Sequence, residues 1–243
     1  MKKIKTTISV FTLALLLFPF LQSCLGDSDA SPALAVGTIQ VIDGNDYYFL
    51  LDNNKKMLPG DTTAIHNYNV EEGKRVIVHF YLLDEKINGY DYNAEVLRIE
   101  NILTKDVIAL TEENIEEIGD DRINLTYMWF AGGCLNIEFK YQGSRNPSNK
   151  HFINLVQNET PDAEGDEDGY LTLEFRHNAY EDPAIDVIDG IIAFNMPFTS
   201  IAAAKGVKIR VNTLYEGVRH YKIDFTSGYN ASFRHYAPQA IFM

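Results

Sequence analysis

The fold class this sequence predicts is all-β, a small closed barrel followed by an antiparallel β-sandwich. Three observations carry it. Short β-branched and aromatic runs recur between turn clusters of Gly, Asn and Asp. The first five runs fall within about 70 residues, the length of a small Greek-key barrel. From Ile123 onward, apolar and charged residues alternate with period two, the mark of sheets packed on one side.

The first half reads strand by strand. Ala35 to Ile42 is β-branched and apolar, Asp43-Gly44-Asn45-Asp46 is a turn, and Tyr47 to Leu51 returns as the second arm of a hairpin. Asp52-Asn53-Asn54 turns again into a short Lys56-Met57-Leu58, stopped at Pro59-Gly60. Arg75 to Leu83 is apolar at both parities and is expected to be buried on both faces. Asn88-Gly89 makes another turn before the run from Asp91 to Asn101. Five strands with a longer gap between the third and fourth indicate a barrel of OB type over residues 33–105. The gap from Asp61 to Asn69 has room for little more than one helical turn.

Residues 106–121 form an acidic linker or a short helix. Within them Thr111 can cap, the glutamates suit a helix N-terminus, and Gly119 can end it. Residues 122–243 make the sandwich. Leu135, Ile137, Phe139 and Tyr141 share one face against Asn136, Glu138 and Lys140. Leu171, Leu173 and Phe175 alternate with Thr172, Glu174 and Arg176, and Val207, Ile209 and Val211 alternate with Lys208 and Arg210. The charged set is expected on the outer, solvated face.

The N-terminus is an address. A basic Met1–Lys5 and an uncharged apolar run from Ile8 to Leu21 precede Leu21-Gln22-Ser23-Cys24, which reads as a lipoprotein signal peptide over residues 1–23. Cys24 is then the lipid attachment site, since only a thiol in this stretch can accept the acyl chain. Residues 24–32 are a small, acidic tether. Asp27 and Asp29 resemble a surface-export tag of some anaerobic Gram-negative lipoproteins; a plain solvated linker reads equally well. The expected location is the cell outer membrane, lipid-anchored and open to surface exposure. Cleavage removes Lys2, Lys3 and Lys5, leaving 18 basic against 34 acidic residues and a charge of −16. Such a surface repels phosphate backbones, so nucleic acid is not an expected partner. Cys134 is left as the one free thiol, with no intrachain disulfide to be made.

No catalytic constellation stands out. Gly-x-Ser-x-Gly, Walker A and the dinucleotide glycine pattern are missing, so no catalytic residues and no cofactor are assigned. Asp162 to Asp168 places alternate carboxylates on a Gly-broken loop, as calcium requires. Its EF-hand register fails, with Phe175 where a bidentate Glu belongs, so it reads better as a solvated hairpin loop and no metal is assigned. His177 follows Phe175 on the inward parity near a strand end, where a histidine serves a neighbouring turn; His66, His79, His151, His220 and His235 are scattered. Gly132-Gly133 reads as a bulge or bend, and Cys134 as a small structural residue. Tyr127-Met128-Trp129-Phe130 reads as a core strand of the sandwich, or else as a partly exposed aromatic platform.

The order and spacing of several stretches resemble the NigD-like lipoproteins, which pair an OB-like domain with a β-sandwich. They are Glu72-Gly73-Lys74-Arg75-Val76, Gly119-Asp120-Asp121, Gly132 to Ile137, His151 to Val156 and Leu171 to Asn178. The family's name comes from a bacteriocin gene cluster, so the resemblance implies an immunity role and no catalytic residues. The expected function is a non-enzymatic binding module, tied to the membrane through the lipid on Cys24 and partnered by an envelope protein or peptide. A glycosidase-like hydrolase whose carboxylates meet only in the fold is the alternative.

Overall fold

The computed structural model describes residues 31–166, 168–196 and 204–225. The expected signal peptide, Cys24 and nearly all of the tether lie outside the described residues. From Pro32 on, the chain forms one compact unit. Among the described residues, no helix is long and apolar enough to cross a membrane.

The first five strands close into a barrel. They are β1 (Ala33–Asp43), β2 (Asp46–Leu51), β3 (Lys56–Asp61), β4 (Arg75–Leu82) and β5 (Tyr92–Asn101), in the order β1-β2-β3-β5-β4. β3 and β5 run parallel and the other pairs antiparallel, which is the OB arrangement. Ile39, Phe49, Met57, Val76, Val78 and Phe80 fill the interior. On β4 the outward Ile77 packs in a cluster shared with the second half of the chain, while outward His79 meets Glu100 at 2.8 Å. β4 is therefore apolar at both parities around Ile77 because a neighbouring domain covers that spot, and not because the whole strand is enclosed. The gap before β4 carries no helix; its Ile65, Tyr68 and Val70 pack against the barrel core instead.

Strands β6 (Leu103–Asp106) and β7 (Ile108–Leu110) follow directly, then a helix α1 (Ile115–Ile118). The stretch read as a linker or helix thus supplies an edge strand as well. Thr111 is not the cap: Asn114 holds that position, and its Oδ1 accepts from Thr111 N at 2.8 Å. Then come β8 (Ile123–Ala131), β9 (Cys134–Gly143), β10 (Phe152–Asn158), β11 (Tyr170–Asn178), β12 (Asp186–Asn195), β13 (Gly206–Thr213) and β14 (Gly217–Asp224). They stack as a five-stranded sheet, β14-β13-β11-β10-β7, on a four-stranded sheet, β6-β12-β9-β8. Leu135, Ile137, Phe139 and Tyr141 face Leu171, Leu173, Phe175, Val207, Ile209 and Val211 in the core, on the predicted parity. Three pairings, β7 with β10, β6 with β12 and β11 with β13, are parallel. Period two reports burial of one face and is blind to strand direction.

The outer face of the larger sheet is not solvated as expected. Thr172, Glu174, Arg176 and Lys208 are buried there. Chain segments lie across it: Ile118 of α1 packs with Leu110 and Val156, and Asp120 takes both terminal nitrogens of Arg210 at 3.0 and 2.9 Å. Arg176 Nε donates to Glu174 at 2.7 Å. The buried charges are thus paired.

Barrel and sandwich meet through a buried polar centre. Arg75 donates to Asp52 through both terminal nitrogens at 2.6 and 2.7 Å, and to Asn136 Oδ1 at 2.7 Å. Asp52 also accepts the Trp129 indole N–H at 2.6 Å. Val36, Ile102, Trp129, Cys134 and Ala193 surround this centre. Trp129 is buried, as the core reading expects, but in the joint between the domains and not between the sheets. Gly132 and Gly133 correct the bulge reading. Ala131 pairs with Cys134, so the two glycines, with φ of 60° and 75°, form a two-residue hairpin turn that requires positive φ. Cys134 is buried, and its thiol is pushed up by burial.

Candidate functional site

The strand registers place four connections at one end of the sandwich. Ile123 pairs with Tyr141, Asp186 with Gly143, Phe152 with Asn178, and Thr213 with Gly217, while β11 and β13 run side by side. Segments 119–122, 144–151, 179–185 and 214–216 therefore cluster there. The barrel contact at Asn136 lies seven residues back along β9, on the order of 20 Å away.

This loop end carries exposed apolar side chains. Tyr180 is 51% exposed, Ile185 72% and Tyr215 73%. Tyr180 and Glu181 both hold positive φ, 46° and 62°, an uncommon conformation for two successive residues with side chains. Their neighbours fix them. Ala179 N donates to Asp121 and Tyr180 N to Asn178 Oδ1, each at 2.8 Å. Asn178 Nδ2 in turn donates to the Glu117 carbonyl at 2.9 Å.

Asp182 ties the next turn down. Its buried carboxylate accepts from Ser144 Oγ at 2.6 Å, from Ser144 N, from Asn149 Nδ2 and from His151 Nε2 at 3.1 Å. These donors, Ser144 foremost, pull its pKa down to about 2. Behind it, His151 Nδ1 lies 2.8 Å from His177 Nε2, and His177 Nδ1 lies 3.3 Å from the Arg122 carbonyl. Burial pushes His177 down to about 4. His177 thus serves a neighbouring turn, as read from its parity, whereas nothing in the sequence pairs it with His151; β10 and β11 bring them together. Gly143 leaves room for this contact, because a Cβ there would meet Asp182 Oδ2 at 2.8 Å. Ser144, Asp182 and His151 do not form a nucleophile triad. The Ser144 hydroxyl donates to the carboxylate, and both His151 nitrogens are already engaged.

In the acidic loop, Glu164 pairs with Lys208 at 3.1 Å and His220 at 2.9 Å, Asp166 accepts from Thr172 N at 2.7 Å, and Asp168 faces Lys222 at 3.5 Å. Glu167 lies outside the described residues. Among the described residues, no group of three or more His, Cys, Asp or Glu side chains could hold a metal ion. Asp120 and Glu174, two carboxylates that share Arg210, are held by it and by Arg176, which suits structure better than proton transfer. On the barrel, Tyr48 meets Tyr90 edge to face at 5.9 Å, with Lys56 over the Tyr48 ring.

Family models match both halves. Residues 36–102 match the NigD-like N-terminal OB domain and residues 106–225 the NigD-like C-terminal β-sandwich domain. The chain belongs to the NigD-like family. No curated protein matches it. A Parabacteroides distasonis structure described as toxin-related is 32% identical, with 80% of this chain and 94% of that chain covered and a TM-score of 0.62. A Bacteroides vulgatus protein of unknown function is 23% identical, covering 82% and 96%, with a TM-score of 0.68. A NigD-like immunity protein from Bacteroides caccae is 13% identical, covering 80% and 94%, with a TM-score of 0.56. The latter two likenesses show the shared fold. Within this NigD-like chain, the stretches that carry the resemblance contribute to both polar centres: Arg75 and Asn136 at the joint, and His151 and His177 at the loop end, while Asp52 and Asp182 come from outside them.

Proposed function

We propose that this NigD-like protein is a lipid-anchored, non-catalytic binding module of the outer membrane, and that it engages a protein or peptide through the loop end of its sandwich. One observation carries this reading. Exposed Tyr180, Ile185 and Tyr215 stand on loops that Asp121, Asn178 and Asp182 hold in a strained, fixed shape. Apolar and aromatic groups on a pre-organised surface lose little entropy on binding.

An immunity-like task is the form of binding proposed. A charge of −16 on the mature chain favours approach of a cationic bacteriocin-type peptide, an attraction weakened by salt. The likeness to the NigD-like immunity protein of B. caccae supports this direction.

The test is a crosslinking pull-down from the native envelope, run with the wild type and with Tyr180→Ala/Ile185→Ser/Tyr215→Ala, alongside a deletion strain challenged with cationic peptides. A partner captured by the wild type and lost in the triple variant, with heightened sensitivity in the deletion strain, is expected. Equal capture by both would overturn the loop-end assignment, and unchanged sensitivity would overturn the immunity role. Cys24→Ala should abolish fatty-acid labelling and leave the precursor unprocessed; normal labelling would overturn the anchor.

A further inference from the structure

We propose that the buried His151–His177 pair holds one proton beyond the two of neutral rings, carried on His151, and that this proton latches the loop end in the shape described. One chain of contacts fixes the number of hydrogens. It runs from Asp182 Oδ2 to His151 Nε2, from His151 Nδ1 to His177 Nε2, and from His177 Nδ1 to the Arg122 carbonyl, at 3.1, 2.8 and 3.3 Å. Both ends can only accept, one being an ionised carboxylate and the other a backbone carbonyl. Three contacts therefore need three protons. Each neutral imidazole brings one N–H, so two neutral rings supply two. With two, one contact sets lone pair against lone pair. With three, every contact is made.

The third proton belongs on His151. That ring touches the Asp182 carboxylate directly, so its charge is compensated at contact distance. His177 is deeper, with a carbonyl in place of a carboxylate at its far nitrogen, and burial disfavours its charged form. It then keeps a single proton on Nδ1, donated to Arg122 O, and accepts from His151 through Nε2.

The groups around the pair agree with this assignment. From β9, Tyr141 lies 4.3 Å from the His151 ring and 5.2 Å from His177, and burial keeps its phenol neutral. From loop 144–151, the Asp182 donors Ser144 and Asn149 are uncharged, and Arg145 turns outward to Asp186. Lys150, beside His151, is exposed. Before β8, the Asp121 carboxylate lies near His177 but accepts from Ala179 N, and Arg122 directs its guanidinium to the Leu214 carbonyl. Asp182 is thus the carboxylate in direct contact with the pair among the described residues.

The consequence is mechanical. Asp182 holds loop 144–151 through Ser144 and Asn149, and lies one residue past the strained Tyr180–Glu181 pair. Loss of the proton removes the ion pair with His151 and leaves one contact of the chain unmade, which loosens three loops at once. The latch stands whether or not these loops bind a partner.

A pH titration of the full mature protein, following histidine side chains by long-range proton–nitrogen NMR, tests it. At the acidic side of the pair's first step, both His151 nitrogens should show charged-imidazole shifts, while His177 stays neutral with its proton on Nδ1. The amide signals of Tyr180, Glu181 and Asp182 should move with the same midpoint. Asp182→Asn should lower that midpoint, since the carboxylate in contact with His151 is gone. Both rings neutral from pH 5 to 9, charge on His177 in place of His151, or loop amides that ignore the His151 step would overturn the proposal. If Asp182→Asn does not fold, the wild-type titration alone decides. A failed pull-down would leave this titration unchanged, so the two readings fail separately.

Discussion

The indole N–H of Trp129 reaches across the joint between sandwich and barrel to Asp52 Oδ2 at 2.6 Å, and the same carboxylate oxygen takes Arg75 at 2.7 Å. A turn residue of the barrel thus anchors the chain's single tryptophan and, among the described residues, an ion pair whose two side chains are each only 1% exposed. The two domains are coupled at a point from which water is excluded, so a change on one side should be felt on both.

Removing one member of that pair should destabilise the whole molecule. Asp52→Ala leaves Arg75 charged and uncompensated, and should cost about 3–5 kcal/mol. Arg75→Met together with Asp52→Leu should recover much of the loss, because no buried charge is stranded. Urea denaturation followed by Trp129 fluorescence measures both, and amide hydrogen exchange resolves barrel from sandwich. Barrel and sandwich signals should lose stability together, and a loss confined to one domain would contradict the coupling.

Gly132 and Gly133 should differ although both have positive φ. A Cβ on Gly132 would lie 2.6 Å from Thr38 Oγ1 and 2.8 Å from Arg75 Nη1, whereas one on Gly133 meets nothing within 4 Å. Gly133→Ala should cost about 1 kcal/mol for backbone strain alone. Gly132→Ala should cost clearly more, since the joint must also open. Thermal melts of the two variants give the comparison.

Stability should fall in mild acid through His177. Its folded pKa is about 4, against an unfolded value near 6.5. Between these values the unfolded chain binds more protons, so this contribution is complete above about pH 6.5 and is lost as the pH drops toward 4, up to ~3 kcal/mol. Asp182, lowered to about 2, adds a further loss only below about pH 4. Denaturation curves between pH 4 and 8 should show a steeper decline for the wild type than for His177→Gln.

Cys134 should be inert in the folded protein. Its thiol is buried, raised by desolvation, and directed at Asn195 Oδ1 at 3.4 Å. Ellman's reagent should react slowly in buffer and fully in urea. Rapid native labelling would place the thiol outside the joint.

Much of this architecture was legible along the chain. The inward set Leu135, Ile137, Phe139 and Tyr141 and the Asp43–Asp46 hairpin follow from strand period and turn chemistry, which are local properties. The OB-like barrel and the sandwich follow from the number and spacing of such runs, as the family match agrees. The proposed address at Cys24 rests on sequence alone, on an order of basic, apolar and cysteine zones and not on any fold. What tertiary structure alone decided is what lies against each face. Glu174, Arg176 and Lys208 read as a solvated face and are buried, because Asp120 and Glu164 arrive from distant segments to pair with the charges there. His151 and His177, separated by 26 residues, become one hydrogen-bonded unit only because β10 and β11 pair in the register that sets Ile153 opposite His177. Periodicity reports which way a side chain points; its partner is chosen by strand order and by the loops that close over the sheet, which no local pattern encodes.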